Sequence, residues 1–199
     1  MIFMVMMGMN GLQAYAGQFF SMAAPNISPH LCSVVLAIVL AVSSGVAASI
    51  TDLFDRRVLM IFSTSMTSLT MAVLGMQLRW KFGPGWMIPV LVVLCCVCYQ
   101  IGANNIPFVY ASECVTPEMR GLTMQIVTCF NCISNFFLLF IFGPSVEYIG
   151  LDCTFFGFSL IGATFTVLVI LFMRETRGVP LEIVQEMFAH GYLYRKINK

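Results

Sequence analysis

The sequence predicts an all-α protein, a polytopic membrane bundle of six transmembrane helices. Of its 199 residues, 59% are hydrophobic and only 10% are charged, with a mean hydropathy of +0.91. A soluble domain keeps about a quarter of its residues charged, so these charges are too few to cover a surface that faces water. The apolar residues also fall into runs of about the 20 residues that cross a bilayer as a helix. We therefore expect much of the protein surface to face the lipid bilayer.

The predicted spans are separated by prolines, glycines and charged residues. They are Met1–Phe20, Leu31–Ile50, Val58–Leu78, Trp86–Ala111, Leu122–Phe142 and Phe155–Met173. A polar tail follows, in which Leu181–Phe188 has the apolar spacing of a helix that lies on the membrane surface. We therefore expect a six-span unit at residues 1–175 and a cytoplasmic tail at residues 176–199.

The basic residues predict the orientation, because cytoplasmic loops of membrane proteins are enriched in lysine and arginine. Of the 10 lysines and arginines, all but Arg79 and Lys81 belong to alternate connections and the tail. Both termini are therefore expected in the cytoplasm. The net charge of +1 gives no basic patch of the kind that binds nucleic acid.

The 8 cysteines are mostly placed inside apolar runs, where a free cysteine acts as a small hydrophobe. Cys129 and Cys132 form a C-x-x-C, but no second pair or histidine cluster stands at metal-ligand spacing. The spans contain no histidine, and no set of nucleophile and base within them. We therefore expect no metal site, no cofactor and no enzymatic activity.

The fourth span carries a polar stripe, because Gln100, Asn104 and Phe108 stand at i, i+4 and i+8. Pro107 removes a backbone donor and should bend the helix there, and Gly102 permits close approach of a neighbouring helix. Transporters hold their substrates with broken, polar helices near the membrane midplane. This segment is our first candidate for a solute site.

Two other spans repeat this pattern. Thr128, Asn131 and Asn135 form a stripe on the fifth span, and Asn10 and Gln13 do so on the first. Amides donate and accept hydrogen bonds without charge, which suits a neutral, polyhydroxylated solute. The alternative is that they only join helices, through bonds worth about 0.6 kcal/mol each.

A second constellation consists of charges at the expected inner ends of the helices. Asp52, Arg56 and Arg57 flank the connection between the second and third spans, and Glu113 and Arg120 flank the one between the fourth and fifth. A pair that exists in one conformation only would act as a gate latch. The alternative for the arginines is that they only set the orientation.

Several short motifs follow one another along the chain: Gly8-Met-Asn10 with Tyr15, Asp52 to Arg57, Gly102 to Glu113, Pro117 to Gly121, Asn131 to Phe136, and Arg174 to Glu182. In their order and spacing they resemble the second half of the sugar-porter family of the major facilitator superfamily, and insect facilitated trehalose transporters in particular. The resemblance implies half of a twelve-span fold, with Glu175 in the charge network.

The resemblance further implies a facilitative carrier of a hexose or trehalose that works by alternating access in the plasma membrane. It assigns sugar contacts to Asn10, Gln100, Phe108, Asn131 and Asn135. The family's paired glutamines before the glycine-x-asparagine element are replaced here by Met4 and Val5, its tryptophan by Phe108, and its glutamate by Gln100.

The resemblance also implies a partner, because the family's substrate lies between two six-helix halves. The expected partner is an amino-terminal six-span half or a second subunit. The other possibility is a truncated or non-transporting membrane protein, such as a sensor or a partner subunit.

Overall fold

The computed structural model describes residues 2–17, 29–80 and 86–173, and the regular structure within these ranges is α-helical. The predicted fold class is therefore confirmed. The helices are α1 Ile2–Val5, α2 Met9–Ala14, α3 Pro29–Leu53, α4 Arg56–Trp80, α5 Met87–Ile101, α6 Ile106–Glu113, α7 Pro117–Tyr148 and α8 Leu151–Phe172.

Five helical stretches of the described chain are long and apolar enough to cross a membrane. They are His30–Thr51, Arg56–Trp80, Met87–Glu113, Pro117–Tyr148 and Leu151–Phe172. They correspond to the second to sixth predicted spans. The described part of the first predicted span contains α1 and α2, which are separated by residues 6–8. The predicted amphipathic segment of the tail lies outside the described residues.

The fifth span begins earlier than predicted. The segment from Thr116 to Arg120 was expected to be a connection, but α7 begins at Pro117 and continues for 32 residues. Proline is tolerated in the first turn of a helix, where its missing N–H has no intrahelical partner in any case. Glu118 also favours this start, since its charge lies at the positive end of the helix dipole.

Helix α4 is the centre of the bundle, packing most extensively against α8 and also against α5. Small polar residues allow α4 and α8 to approach closely. Ser68 Oγ donates to the Ser159 carbonyl at 2.8 Å, and Ser159 Oγ donates to the Ser68 carbonyl at 2.9 Å. The first span packs against α7 and α8.

The core is unusually rich in sulfur. Met4, Met7 and Met9 of the first span lie in one buried cluster with Cys95 and Cys96 of α5. All eight cysteines are free thiols. These buried side chains act as adaptable apolar filling between the first span and α5, and they place the first span beside the fourth.

Candidate functional site

A glycine separates the two helical segments of the first span. Gly8 has a φ of +80° and a Cβ there would lie 2.6 Å from the Phe158 ring. Both the left-handed backbone and the close ring require glycine. Gly11 allows a similar approach, because a Cβ there would lie 2.8 Å from Phe142. The first span is thereby seated on aromatic rings of α7 and α8, which fixes where Asn10 lies.

The amides of the first and fifth spans meet. Asn10 Nδ2 donates to Asn135 Oδ1 at 2.5 Å, across 125 residues of sequence. Asn135 Nδ2 in turn donates to the Asn131 carbonyl at 2.9 Å and lies 3.4 Å from Asn131 Oδ1. All three side chains are half-buried. Asn10 of one predicted stripe and Asn131 and Asn135 of another therefore form one amide cluster that is partly exposed.

The fourth span is broken one turn before Pro107. Helix α5 ends at Ile101 and α6 begins at Ile106, with Pro107 in its first turn. The predicted break at Pro107 itself is therefore displaced toward the amino terminus. The reason is that proline removes the bond to the carbonyl four residues earlier, so the disturbance extends back to Ala103.

The amides beside this break are paired with each other. Asn104 Nδ2 donates to Gln100 Oε1 at 2.6 Å, and Asn105 Nδ2 donates to the Gln100 carbonyl at 3.3 Å. Gln100 and Asn104 are half-buried. Phe108 is partly buried and packs against the main core cluster. The structure therefore joins two members of the predicted stripe, Gln100 and Asn104, whereas Phe108 packs against the core.

The first span contacts both the fourth and the fifth spans. Cys95 Sγ of α5 lies 3.6 Å from Met9 Sδ, and the Gln13 side chain lies close to Cys96. The neighbouring Asn10 faces α7 instead. The first span thus lies between the fourth and fifth spans. The hydroxyl of Thr128, by contrast, is exposed and donates to the Met124 carbonyl of its own helix at 2.8 Å.

At one end of the bundle, an arginine connects three helices. Arg56 is buried, and its Nη2 lies 3.0 Å from Glu113 Oε1 at the end of α6. Its Nη1 donates to the Thr51 carbonyl near the end of α3. Arg57 Nη2 donates to the Ile170 carbonyl of α8 at 2.5 Å. Carboxyl ends of helices carry partial negative charge, so both arginines join such ends.

The other members of the predicted charge network are placed differently. Arg120 is exposed, and it forms no ion pair with any residue in the described ranges. Asp52 lies in the last turn of α3, and the position of its side chain is not described. Glu175 lies outside the described residues. Within the predicted charge network, the ion pair that the structure shows is the one between Arg56 and Glu113.

An ion pair at the opposite end was not predicted from the sequence. Arg79 Nη1 lies 3.1 Å from Asp152 Oδ2, which connects the end of α4 to the start of α8. These two helices are packed together along their length. The pair therefore joins the two helices at one end of their interface. A negative charge in the first turn of α8 and a positive one in the last turn of α4 were the available signals.

The sequence analysis also missed the hydroxyl groups of α4. Ser63, Thr64 and Thr67 are fully buried. The repeated spacing of small polar residues in an apolar helix was the available signal, since such residues are enriched where membrane helices pack closely.

Comparison with known proteins gives consistent matches. A family model described as "Sugar (and other) transporter" matches residues 1–188. The facilitated trehalose transporter Tret1 of Bombyx mori is 25% identical over 197 residues, covering 96% of this chain and 39% of that protein. Tret1 of Apis mellifera ligustica is 26% identical over 194 residues, covering 95% of this chain and 39% of that protein.

Solved structures show the fold. The proton:xylose symporter XylE bound to 6-bromo-6-deoxy-D-glucose, a major facilitator superfamily protein, matches with a TM-score of 0.79 and 19% identity, over 94% of this chain and 40% of that one. The inward open conformation of the E. coli xylose transporter XylE matches with a TM-score of 0.70 and 18% identity, over 94% of this chain and 41% of that one. The chain thus spans about two fifths of the length of each of these four proteins.

Proposed function

Because the chain belongs to the sugar (and other) transporter family, within the major facilitator superfamily, we propose that it is one half of a facilitative carrier for a neutral sugar. The solute would be held at the amides of the first, fourth and fifth spans. It would cross the membrane by alternating access, in which this half rocks against a second half around the site.

The observation that carries the proposal is the contact between Asn10 and Asn135. These residues lie on separate spans, and their amides are 2.5 Å apart and half-buried. An amide that only joins two helices is expected to be fully buried, because a polar group that faces lipid is costly. A half-open amide cluster instead supports a surface that meets a solute or a second half.

The chemistry of the two amide groups supports an uncharged, hydroxyl-rich solute. The cluster of Asn10, Asn131 and Asn135 and the pair of Gln100 and Asn104 supply both donors and acceptors and no charge. The charged pairs Arg56–Glu113 and Arg79–Asp152 lie instead at the ends of the helices. A hexose or trehalose would match these groups, and the similarity to facilitated trehalose transporters supports that class of solute.

The charge pair at the end of α6 supports the gating part of the proposal. Glu113 ends the segment that begins immediately after the broken part of the fourth span. Its bond to Arg56 ties that segment to α3 and α4. Movement of α6 during alternating access would break the pair. We therefore propose that Arg56 and Glu113 form a latch on the cytoplasmic side of a plasma-membrane carrier whose two termini are cytoplasmic.

The test is uptake of labelled glucose and trehalose in cells that lack hexose transport. The chain is expressed alone and also fused behind the amino-terminal half of the Bombyx mori relative, and surface biotinylation measures the amount of each at the plasma membrane. Uptake by the fusion, and its loss in an Asn135→Ala variant of equal abundance, supports the proposal. Surface expression of both proteins without uptake of either sugar contradicts it.

A second candidate function is a membrane protein that binds a partner without transporting. The observation in its favour is that Met4 and Val5, which replace the family's paired glutamines, are each only 1% exposed. They fill the core and leave fewer polar groups for a sugar. Binding of labelled sugar to the purified chain separates the two, because the second candidate binds none.

A further inference from the structure

A serine from α4 enters the break in the fourth span. Ser63 is fully buried. Its Oγ donates to the Cys98 carbonyl at 2.6 Å and accepts from the Ala103 backbone N–H at 2.9 Å. Cys98 lies in the last turn of α5, and Ala103 lies within the break. One hydroxyl therefore bridges the two sides of the discontinuity.

The backbone bonds around the break explain why a bridge is needed. In a regular helix the Ala103 N–H would donate to the Tyr99 carbonyl. That carbonyl instead accepts from Asn104 N at 3.1 Å, so the register slips by one residue. Ala103 is fully buried, and a buried N–H without a partner is costly. Ser63 supplies the partner that the slip removes.

The break and the serine fit each other sterically. A Cβ on Gly102 would lie 2.7 Å from Ser63 Cβ and 2.8 Å from the Leu59 carbonyl oxygen. The absence of that Cβ lets α4 approach closely enough for the hydroxyl to reach both backbone groups. Gly102 was predicted to permit close approach of a neighbouring helix, and the close neighbour is Ser63.

Neighbouring hydroxyls of α4 do not reach across in this way. Thr64 Oγ1 donates to the Met60 carbonyl at 2.9 Å, Ser65 Oγ to Ile61 at 2.7 Å, and Thr67 Oγ1 to the Ser63 carbonyl at 2.7 Å, all within their own helix. Such bonds add little beyond the helix itself. Ser68 Oγ does bond to another helix, but that helix is α8. Among these α4 hydroxyls, Ser63 is the one that bonds to the broken part of the fourth span.

We propose that Ser63 is a positioning residue for the solute site. Its hydroxyl holds the slipped register of the fourth span, and that register sets the pairing of Gln100 with Asn104. The serine touches no solute itself and acts through the backbone of Cys98 and Ala103. The part of this inference that concerns solute rests on the proposed carrier function, whereas the part that concerns the backbone does not.

The first experiment is amide hydrogen exchange of the chain in lipid nanodiscs, followed residue by residue by NMR. Ser63→Ala leaves the Ala103 N–H unsatisfied, so its exchange becomes about tenfold faster, as expected for a buried donor that loses its partner. Exchange at Val92, a buried residue of α5 remote from the break, stays unchanged. Ser65→Ala is the matched control, because it removes a hydroxyl that bonds only within α4.

Ser63→Cys provides a graded variant, since a thiol keeps a weak donor and a weak acceptor. Exchange at Ala103 is expected to be slowest in the wild type, faster in Ser63→Cys and fastest in Ser63→Ala. Equal rates in all three proteins overturn the proposal. Acceleration at Val92 together with Ala103 also overturns it, because that pattern indicates general loosening of the bundle.

The second experiment is uptake by the fusion protein. Ser63→Ala raises the KM for sugar roughly fivefold, the effect of about one hydrogen bond, with a smaller change in kcat. If no version of the protein takes up sugar but Ala103 exchange still responds, the carrier function fails and the backbone role stands. If uptake occurs and neither KM nor Ala103 exchange responds, the positioning role fails alone.

Discussion

Arg56 and Glu113 are 57 residues apart in sequence, and their side chains meet at 3.0 Å where α4 begins and α6 ends. Arg56 is buried and also bonds to the Thr51 carbonyl, whereas the side chain of Glu113 is 29% exposed. Removal of the carboxylate charge therefore leaves a buried guanidinium with a weaker partner.

Glu113→Gln is expected to slow sugar uptake by the fusion protein while sugar affinity stays within about twofold. A bond to a charged group contributes about 1.5 kcal/mol at the lower end of its range, which the partial exposure of Glu113 favours. Loss of that amount shifts the balance between conformations about tenfold. Uptake rates and equilibrium binding of labelled sugar, measured on the same preparation, check this.

Arg120→Ala is the control for the latch. Arg120 lies near the same end of the bundle but is exposed and has no ion pair within the described part of the chain. It should therefore slow uptake less than Glu113→Gln does. Loss of sugar binding in Glu113→Gln would assign this residue to the solute site and would end the latch interpretation.

Asn135→Ala is expected to weaken sugar binding more than tenfold. The substitution removes the acceptor for Asn10 and the donor to Asn131 at once, and each lost partner of a polar group costs about 1–3 kcal/mol. Ser134→Ala is the matched control, because the Ser134 hydroxyl donates only to the Phe130 carbonyl of its own helix. Equal affinities of the two variants would argue for a purely structural role of Asn135.

Gly8→Ala is expected to lower the free energy of unfolding by about 2–5 kcal/mol. A left-handed backbone costs an alanine about 1–2 kcal/mol, and overpacking against Phe158 adds about 1–3 kcal/mol. Gly45→Ala is the control, since a Cβ at Gly45 meets nothing within 4 Å and should stabilise α3 by about 0.5–1 kcal/mol. Denaturant unfolding in detergent micelles measures both, and a similar loss in the two variants would exclude a special role for Gly8.

Two native cysteines offer a test of the predicted orientation. Cys153 is exposed in the first turn of α8, and Cys114 lies at the opposite end of the bundle, immediately after α6. In variants that retain one of these cysteines and no other, a membrane-impermeant maleimide should label Cys153 in intact cells. It should label Cys114 only after the membrane is opened. The reverse pattern would place both termini outside the cytoplasm.

The same reagent tests the electrostatics around Cys114. Burial, followed by the negative charge of Glu113, raises the pKa of the Cys114 thiol above its usual value, and a hydrogen bond with Tyr110 partly offsets this. Maleimides react with the thiolate, so a raised pKa means slower labelling at neutral pH and a rate that still rises at alkaline pH. Glu113→Gln removes the charge and should speed labelling at neutral pH. An unchanged rate would show that the carboxylate does not influence this thiol.

Much of the architecture could be predicted from the sequence because it depends on local properties. Run length and hydropathy predict spans, and five long helices match them. Helical spacing identified the stripes of Asn10, Gln100 and Asn135. The start of the fifth span was less predictable, because Pro117 is equally acceptable in a loop and in the first turn of a helix.

The amino-acid sequence by itself determined that this is a membrane-spanning chain. It also determined which helix faces are polar and where the helices are weakened. Tertiary structure decided which groups meet: Asn10 with Asn135, Arg56 with Glu113, and Ser63 with the broken backbone. The physical reason is that periodicity along a helix fixes the relative directions of its own side chains. The rotation and depth at which two helices pack depend instead on the shapes of both surfaces, such as the space left by Gly102 for Ser63.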